Sequence, residues 1–185
     1  KYINTAGESF RQFLEGKLPQ LPGEKPVAKD WADHLTTIFP EVRLKRYLEM
    51  RGADSGPWRR LCALPALWAG LLYHQASLDG AWDLVKDWTI EDHQKLRDAV
   101  PKLGLKAPLP DGRTLNDLAK QVLDIATDGL NARAQVNSMG DNESGFLNPL
   151  RRMVDSGKTS ADELLEKFNG PWAGDLSKVY DEYSF

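Results

Sequence analysis

The stretch Val42-Arg43-Leu44-Lys45-Arg46-Tyr47-Leu48-Glu49-Met50-Arg51-Gly52-Ala53 breaks the pattern of the chain around it. Its even positions are Val42, Leu44, Arg46, Leu48 and Met50, and its odd positions are Arg43, Lys45, Tyr47, Glu49 and Arg51. Apart from Arg46 the alternation is strict, which predicts a strand with aliphatic residues on one face and polar ones on the other. On a helix, Leu44, Tyr47, Leu48 and Met50 spread over too wide an arc for one stripe. A single strand cannot stand alone, so its sheet partners are expected outside this chain or within residues 1–29.

The flanks read differently. Residues 1–29 contain a short helical candidate around Phe10, Phe13 and Leu14, then Pro19, Pro22, Gly23 and Pro26, the composition of an exposed connector. Asp30 is a good cap for a short helix through Trp31, Leu35 and Ile38 to Pro40; with the strand this forms a segment 30–56. From 57 to 185 the chain reads as helical. Asp54 or Ser55 caps a helix with Pro57 in its first turn and Trp58, Leu61, Cys62, Trp68 and Leu72 at helical spacing, and Pro65 is expected to kink it. Thr89-Ile-Glu-Asp92, Thr114-Leu-Asn-Asp117 and Ser160-Ala-Asp-Glu163 resemble capping boxes. Leu115, Leu118, Val122, Ala126 and Leu130 form one stripe. Turns are expected at Gly104–Gly112 and a polar loop at Asn137–Gly145. The fold class expected is α+β, predominantly helical with one strand. The three segments are read as one domain fragment of a longer chain, because the sequence opens on Lys-Tyr-Ile-Asn without Met or a leader.

Composition narrows the function. A length of 185 residues with 41% hydrophobic content suits one domain. Lys and Arg total 24 against 27 Asp and Glu, a formal charge of −3, which argues against a nucleic-acid binder or a polybasic membrane anchor. A lone cysteine excludes an intrachain disulfide framework and a multi-cysteine zinc site. The longest stretch without Asp, Glu, Lys or Arg runs from Leu61 to Leu78, and its apolar part ends at Tyr73. That is short of the ~20 residues a bilayer requires.

Charge concentrates between Glu41 and Arg60: Arg43, Lys45, Arg46, Arg51, Arg59 and Arg60 against Glu41, Glu49 and Asp54, a local excess of three positive charges. Such a wall holds charged ligands, or it is a solvated sheet face with cross-strand ion pairs. Glu49 and Arg51 are two apart on the strand and point the same way. A carboxylate holds Mg²⁺ together with substrate phosphates, and a guanidinium forks onto a phosphoryl group; the bland alternative for the pair is a structural salt bridge. His34, His74 and His93 are widely separated, with no metal-ligand spacing, and are read as core or surface residues. Cys62, on an apolar stripe, is read as a buried inert thiol. Arg59 and Arg60 lie near a helix N-terminus, where anions are favoured, and serve equally as solvated surface. There is no Gly-rich P-loop and no nucleophile elbow.

The run from Asp30 to Tyr73, DWADHLTTIFPEVRLKRYLEMRGADSGPWRRLCALPALWAGLLY, closely resembles glutamate–cysteine ligases of the plant and proteobacterial type. YINTAGESFRQFLEGKLP, GLKAPLPDG, GFLNPL and ADELLEKFNGPW extend the resemblance over nearly the whole chain. It implies ATP- and Mg²⁺-dependent joining of the glutamate γ-carboxyl to the cysteine amine through a γ-glutamyl phosphate, the first step of glutathione synthesis. It also implies a glutamine-synthetase-like fold, whose antiparallel sheet lines the active site and whose helices cover the outside; this chain would be its C-terminal part. Glu49 would be a Mg²⁺ ligand and Arg51 the catalytic phosphate contact, with Arg43, Lys45, Arg46, Tyr47 and Arg59 as further substrate or phosphate candidates. The implied partners are glutamate, cysteine and ATP, plus the remainder of the polypeptide or a second copy against the exposed sheet; nucleic acid and membrane are not expected. A cytoplasmic location is expected. Plant members are regulated through disulfides, for which Cys62 has no partner in this chain, and Asn131–Glu143 looks longer than the usual family loop. The rival readings are another carboxylate–amine ligase of the same superfamily and a non-catalytic helical interaction module.

Overall fold

A computed structural model describes residues 3–37, 39–54 and 56–184, without the side chain of Arg59. Ile38 and Ser55, read above as a helix end and a cap, lie outside the described residues. The chain forms two compact units, Lys1–Ala53 and Asp54–Phe185.

In the first unit, α1 (Phe10–Leu14) is capped by the Ser9 hydroxyl, which accepts from the Arg11 N–H at 3.2 Å. The second helix, α2 (Ala28–Leu35), starts earlier than expected. Asp30 caps it from inside the first turn by accepting from the Val27 N–H at 2.8 Å. The Phe10 ring stacks on His34 at 4.2 Å and leans on Trp31 at 5.5 Å, which gives His34 a packing role. Leu18, in the turn-rich connector, is buried.

The expected single strand is a hairpin. Strands β1 (Val42–Leu44) and β2 (Leu48–Met50) pair antiparallel in the register Val42↔Met50, Arg43↔Glu49 and Leu44↔Leu48. The segment thus supplies its own sheet partner. The reason the alternation misled is arithmetic: pairing joins each odd position to an odd one and each even position to an even one. Folding back therefore keeps Val42, Leu44, Leu48 and Met50 on one face, as a straight strand would. Arg46, the lone exception to the alternation, sits in the turn, which the Lys45 N–H closes by donating to the Tyr47 carbonyl at 2.9 Å. The α+β class stands, with a small two-stranded sheet and a mostly helical remainder.

The second unit is helical: α3 (Trp58–Leu72), α4 (Gln75–Asp83), α5 (Ile90–Leu103), α6 (Leu115–Arg133), α7 (Asn148–Ser156), α8 (Ser160–Asn169) and α9 (Ser177–Tyr183), with short 3₁₀ turns at Gly104–Lys106 and Glu143–Leu147. Thr89–Asp92 and Thr114–Asp117 form the expected capping boxes. The third box lies one residue earlier than expected, between Thr159 and Asp162. This leaves the Ser160 hydroxyl to accept from the Arg60 guanidinium. Among the described residues no helix is long and apolar enough to cross a membrane.

The core gathers Ala66, Leu71, Leu123, Ala126, Leu130, Leu147 and Val154. The expected stripe of α3 is covered only in part: Trp58 and Leu61 are exposed and Cys62 is half-buried, Trp68 and Leu72 pack half-buried against the core, and Ala63, Ala66, Gly70 and Leu71 are buried. Small residues win because α3 and α6 approach backbone to backbone. A Cβ on Gly70 would overlap the Ala126 carbonyl, and one on Gly129 would overlap the Gly70 carbonyl. The buried Ser77 hydroxyl, 3.1 Å from His74 Nδ1, donates to the Ile125 carbonyl at 3.1 Å and ties α4 to α6.

Candidate anion-binding site on the hairpin

The odd face of the hairpin collects the charges. Arg43 and Glu49 are direct cross-strand partners, and the Arg43 Nε donates to Glu49 Oε2 at 2.7 Å. Arg51 Nε lies 3.8 Å from the same oxygen, and Lys45 Nζ lies 3.9 Å from Oε1. One carboxylate therefore sits among three cations. The Arg51 N–H donates to the Glu41 carbonyl at 2.9 Å, which extends the ladder past the strand ends and fixes the backbone at Arg51.

Arg51 is the most confined of these cations. Its guanidinium lies 5.4 Å from the centre of the Phe39 ring, a cation–π contact, and its Nη1 is buried without a hydrogen-bond partner. A buried N–H without an acceptor costs free energy on the order of 1–3 kcal/mol, so this donor favours an incoming oxygen. Phe39 was not singled out by the sequence reading, since it lies before the alternating run and nothing in its spacing marks it.

The hydrogen bond from Arg43 is the largest cause holding the Glu49 carboxyl below its ordinary 4.5. Desolvation opposes it, and the charges of Arg43, Lys45 and Arg51 add to it. Because the folded state lowers this value, the contribution of the ionised carboxylate to stability is present above the unfolded value and is lost as pH falls through the folded one. A carbon-13 titration of the Glu49 carboxyl is expected to show its midpoint below 4.5. A midpoint at or above that value would mean that the three cations do not engage it in solution.

The remaining candidates are placed as follows in their own units. Tyr47 and Arg46 belong to the exposed turn. The Arg59 side chain lies outside the described residues. Arg60 is committed to α8, donating to the Ser160 hydroxyl and lying 3.4 Å from Glu163 Oε2. Among the described residues no three His, Cys, Asp or Glu side chains converge to hold a metal ion. The carboxylate shown among the guanidinium and ammonium groups is that of Glu49. It fits a Mg²⁺ shared with phosphate oxygens and does not fit a cage built by this chain alone.

The hairpin thus presents a basic face with one unsatisfied guanidinium N–H, an arrangement suited to an oxyanion. Residues 5–182 match the family described as glutamate-cysteine ligase family 2 (GCS2), and the chain belongs to it. The chain is 56% identical over 182 residues to the chloroplastic glutamate–cysteine ligase of Arabidopsis thaliana, covering 98% of this chain and 34% of that protein. Against the Medicago truncatula chloroplastic ligase the identity is 54% with the same coverage. Against the chloroplastic ligase A of Oryza sativa subsp. indica it is 52%, over 98% of this chain and 36% of that protein. The chain thus spans about a third of the length of the curated relatives it matches. The expected cytoplasmic location is corrected by these names, which are all chloroplastic.

Proposed function

We propose that this chain contributes the hairpin side of an active site that ligates the glutamate γ-carboxyl to the cysteine amine at the expense of ATP, the opening step of glutathione synthesis. Family membership supports the reaction class. The observation that carries the site assignment is Arg51, a half-buried guanidinium with an unpartnered Nη1 beside an ionised carboxylate. The hairpin is read as one corner of a glutamine-synthetase-like antiparallel sheet, with its apolar face of Val42, Leu44, Leu48 and Met50 covered by the remainder of the polypeptide. Val42, Leu44 and Leu48 are 46%, 80% and 55% exposed in this chain, which supports a missing cover.

In this reading a γ-carboxylate oxygen attacks the terminal phosphorus of ATP and ADP departs. The cysteine nitrogen then attacks the acyl carbon, phosphate leaves, and the nitrogen loses a proton. Both steps depend on alignment and charge neutralisation, and need no side-chain nucleophile. Arg51 binds the transferring phosphoryl oxygens, Arg43 and Lys45 add positive charge along the phosphates, and Glu49 would offer an oxygen to hold Mg²⁺. Mg²⁺, when bound with the nucleotide, supplies further neutralisation of phosphate charge. Arg46 and Tyr47 are read as further substrate contacts.

The test is an assay of the intact protein with ATP, Mg²⁺, glutamate and cysteine, together with Arg51→Lys. A single ammonium lacks the planar fork of a guanidinium. Arg51→Lys is therefore expected to lower kcat by about tenfold or more, with a smaller effect on the KM for glutamate. A rise in that KM with kcat unchanged would make Arg51 a substrate-positioning group, and absence of γ-glutamylcysteine from the wild-type assay would remove the proposal.

A further inference from the structure

We propose that Arg43 is a built-in counterion that keeps free divalent cations off Glu49 and yields only to a metal arriving on the phosphates of a nucleotide. This rests on the reading of Glu49 as a metal ligand. Three cationic nitrogens lie within 3.9 Å of its carboxylate, with both oxygens engaged: Oε2 by Arg43 and Arg51, Oε1 by Lys45. The three cations are not equivalent. Lys45 sits in the turn and Arg51 is held against Phe39, whereas strand register sets Arg43 directly opposite Glu49. Arg43 also makes the short hydrogen bond, at 2.7 Å.

A bare divalent cation approaching Glu49 meets positive charge on every engaged side. At these separations, repulsion between charges persists even at the dielectric of water. Such an ion must also displace Arg43 and leave that guanidinium without an acceptor. A metal–nucleotide complex meets neither obstacle. It carries net negative charge, and its phosphate oxygens take over the freed Arg43 fork while Glu49 passes to the metal. Arg43 is thus a positioning residue that exchanges one anion for another, and the exchange makes metal and nucleotide bind together at this carboxylate.

The experiment counts Mn²⁺ bound to the intact protein by electron paramagnetic resonance, with and without a non-hydrolysable ATP analogue. Glu49→Gln is expected to lose an ion relative to wild type only when the nucleotide is present. Arg43→Gln is expected to bind nucleotide-free Mn²⁺ about tenfold more tightly than wild type. Arg43→Lys, which keeps the charge, is expected to match wild type in this respect. A purely structural Arg43 would weaken binding in both conditions. Loss of an ion from Glu49→Gln already without nucleotide overturns the proposal, as does a folded Arg43→Gln with no gain in free-metal binding. If Glu49→Gln loses no ion in either condition, the metal assignment of Glu49 falls and takes this inference with it. The wild-type and Glu49→Gln pair decides the matter even where Arg43→Gln fails to fold.

Discussion

Glu49→Gln in the intact protein is expected to cut ATP-dependent formation of γ-glutamylcysteine by on the order of a hundredfold or more, while the fold survives. The amide keeps the shape of the side chain but loses its charge and most of its affinity for Mg²⁺. It also leaves Arg43, Lys45 and Arg51 without the anion they share, so their mutual repulsion shifts the groups meant to align on phosphate. Stability is expected to change little, because the ion pairs of Glu49 are partly exposed and such pairs are worth ~0–1 kcal/mol. Turnover, circular dichroism and thermal melting separate the two effects. Near-normal turnover at ordinary Mg²⁺ concentrations would sink the assignment of Glu49.

Gly129→Ala is expected to have the largest effect on stability. A methyl group there overlaps the Gly70 carbonyl and also presses on the Ser77 hydroxyl at 2.8 Å. Overpacking costs ~1–3 kcal/mol when side chains can yield. Here the obstacle is backbone, so the cost should reach about 3 kcal/mol or more and lower Tm by about 10 °C. Ser77 would also be pushed off the Ile125 carbonyl, freeing the contact between α4 and α6. Gly145→Ala is the control, because a Cβ at that position meets nothing within 4 Å. A melting point for Gly129→Ala equal to that of the control would mean that α3 and α6 do not approach as closely as described.

Local chemistry was legible in the sequence wherever one residue type answers one local need. Thr89 with Asp92 and Thr114 with Asp117 announced the starts of α5 and α6, because a hydroxyl and a carboxylate three residues apart satisfy each other's backbone N–H groups. The stripe of Leu118, Ala126 and Leu130 marked the buried side of α6. By contrast, α4 follows His74, which makes no side-chain cap, and α7 runs directly out of a 3₁₀ turn; neither start has such a signature. The alternation from Val42 to Arg51 puts Arg43, Lys45, Tyr47, Glu49 and Arg51 on one face, because residues two apart in extended chain point the same way.

What the sequence by itself determined, then, was the side each of these residues occupies and the charge they bring together. Alternation fixes the face of an extended residue, and it is blind to reversal when the pairing keeps odd with odd, so the hairpin and the cross-strand contact of Arg43 with Glu49 were decided only by the tertiary structure. The same holds for the orphaned Nη1 of Arg51, whose guanidinium lies against the Phe39 ring. It holds as well for the packing of α3, where Gly70 and Gly129 outweigh Trp58 and Leu61. Hydrophobicity along one helix tells which side chains gain by leaving water; which side is covered depends on how closely a second helix can come, and that is a property of two backbones together.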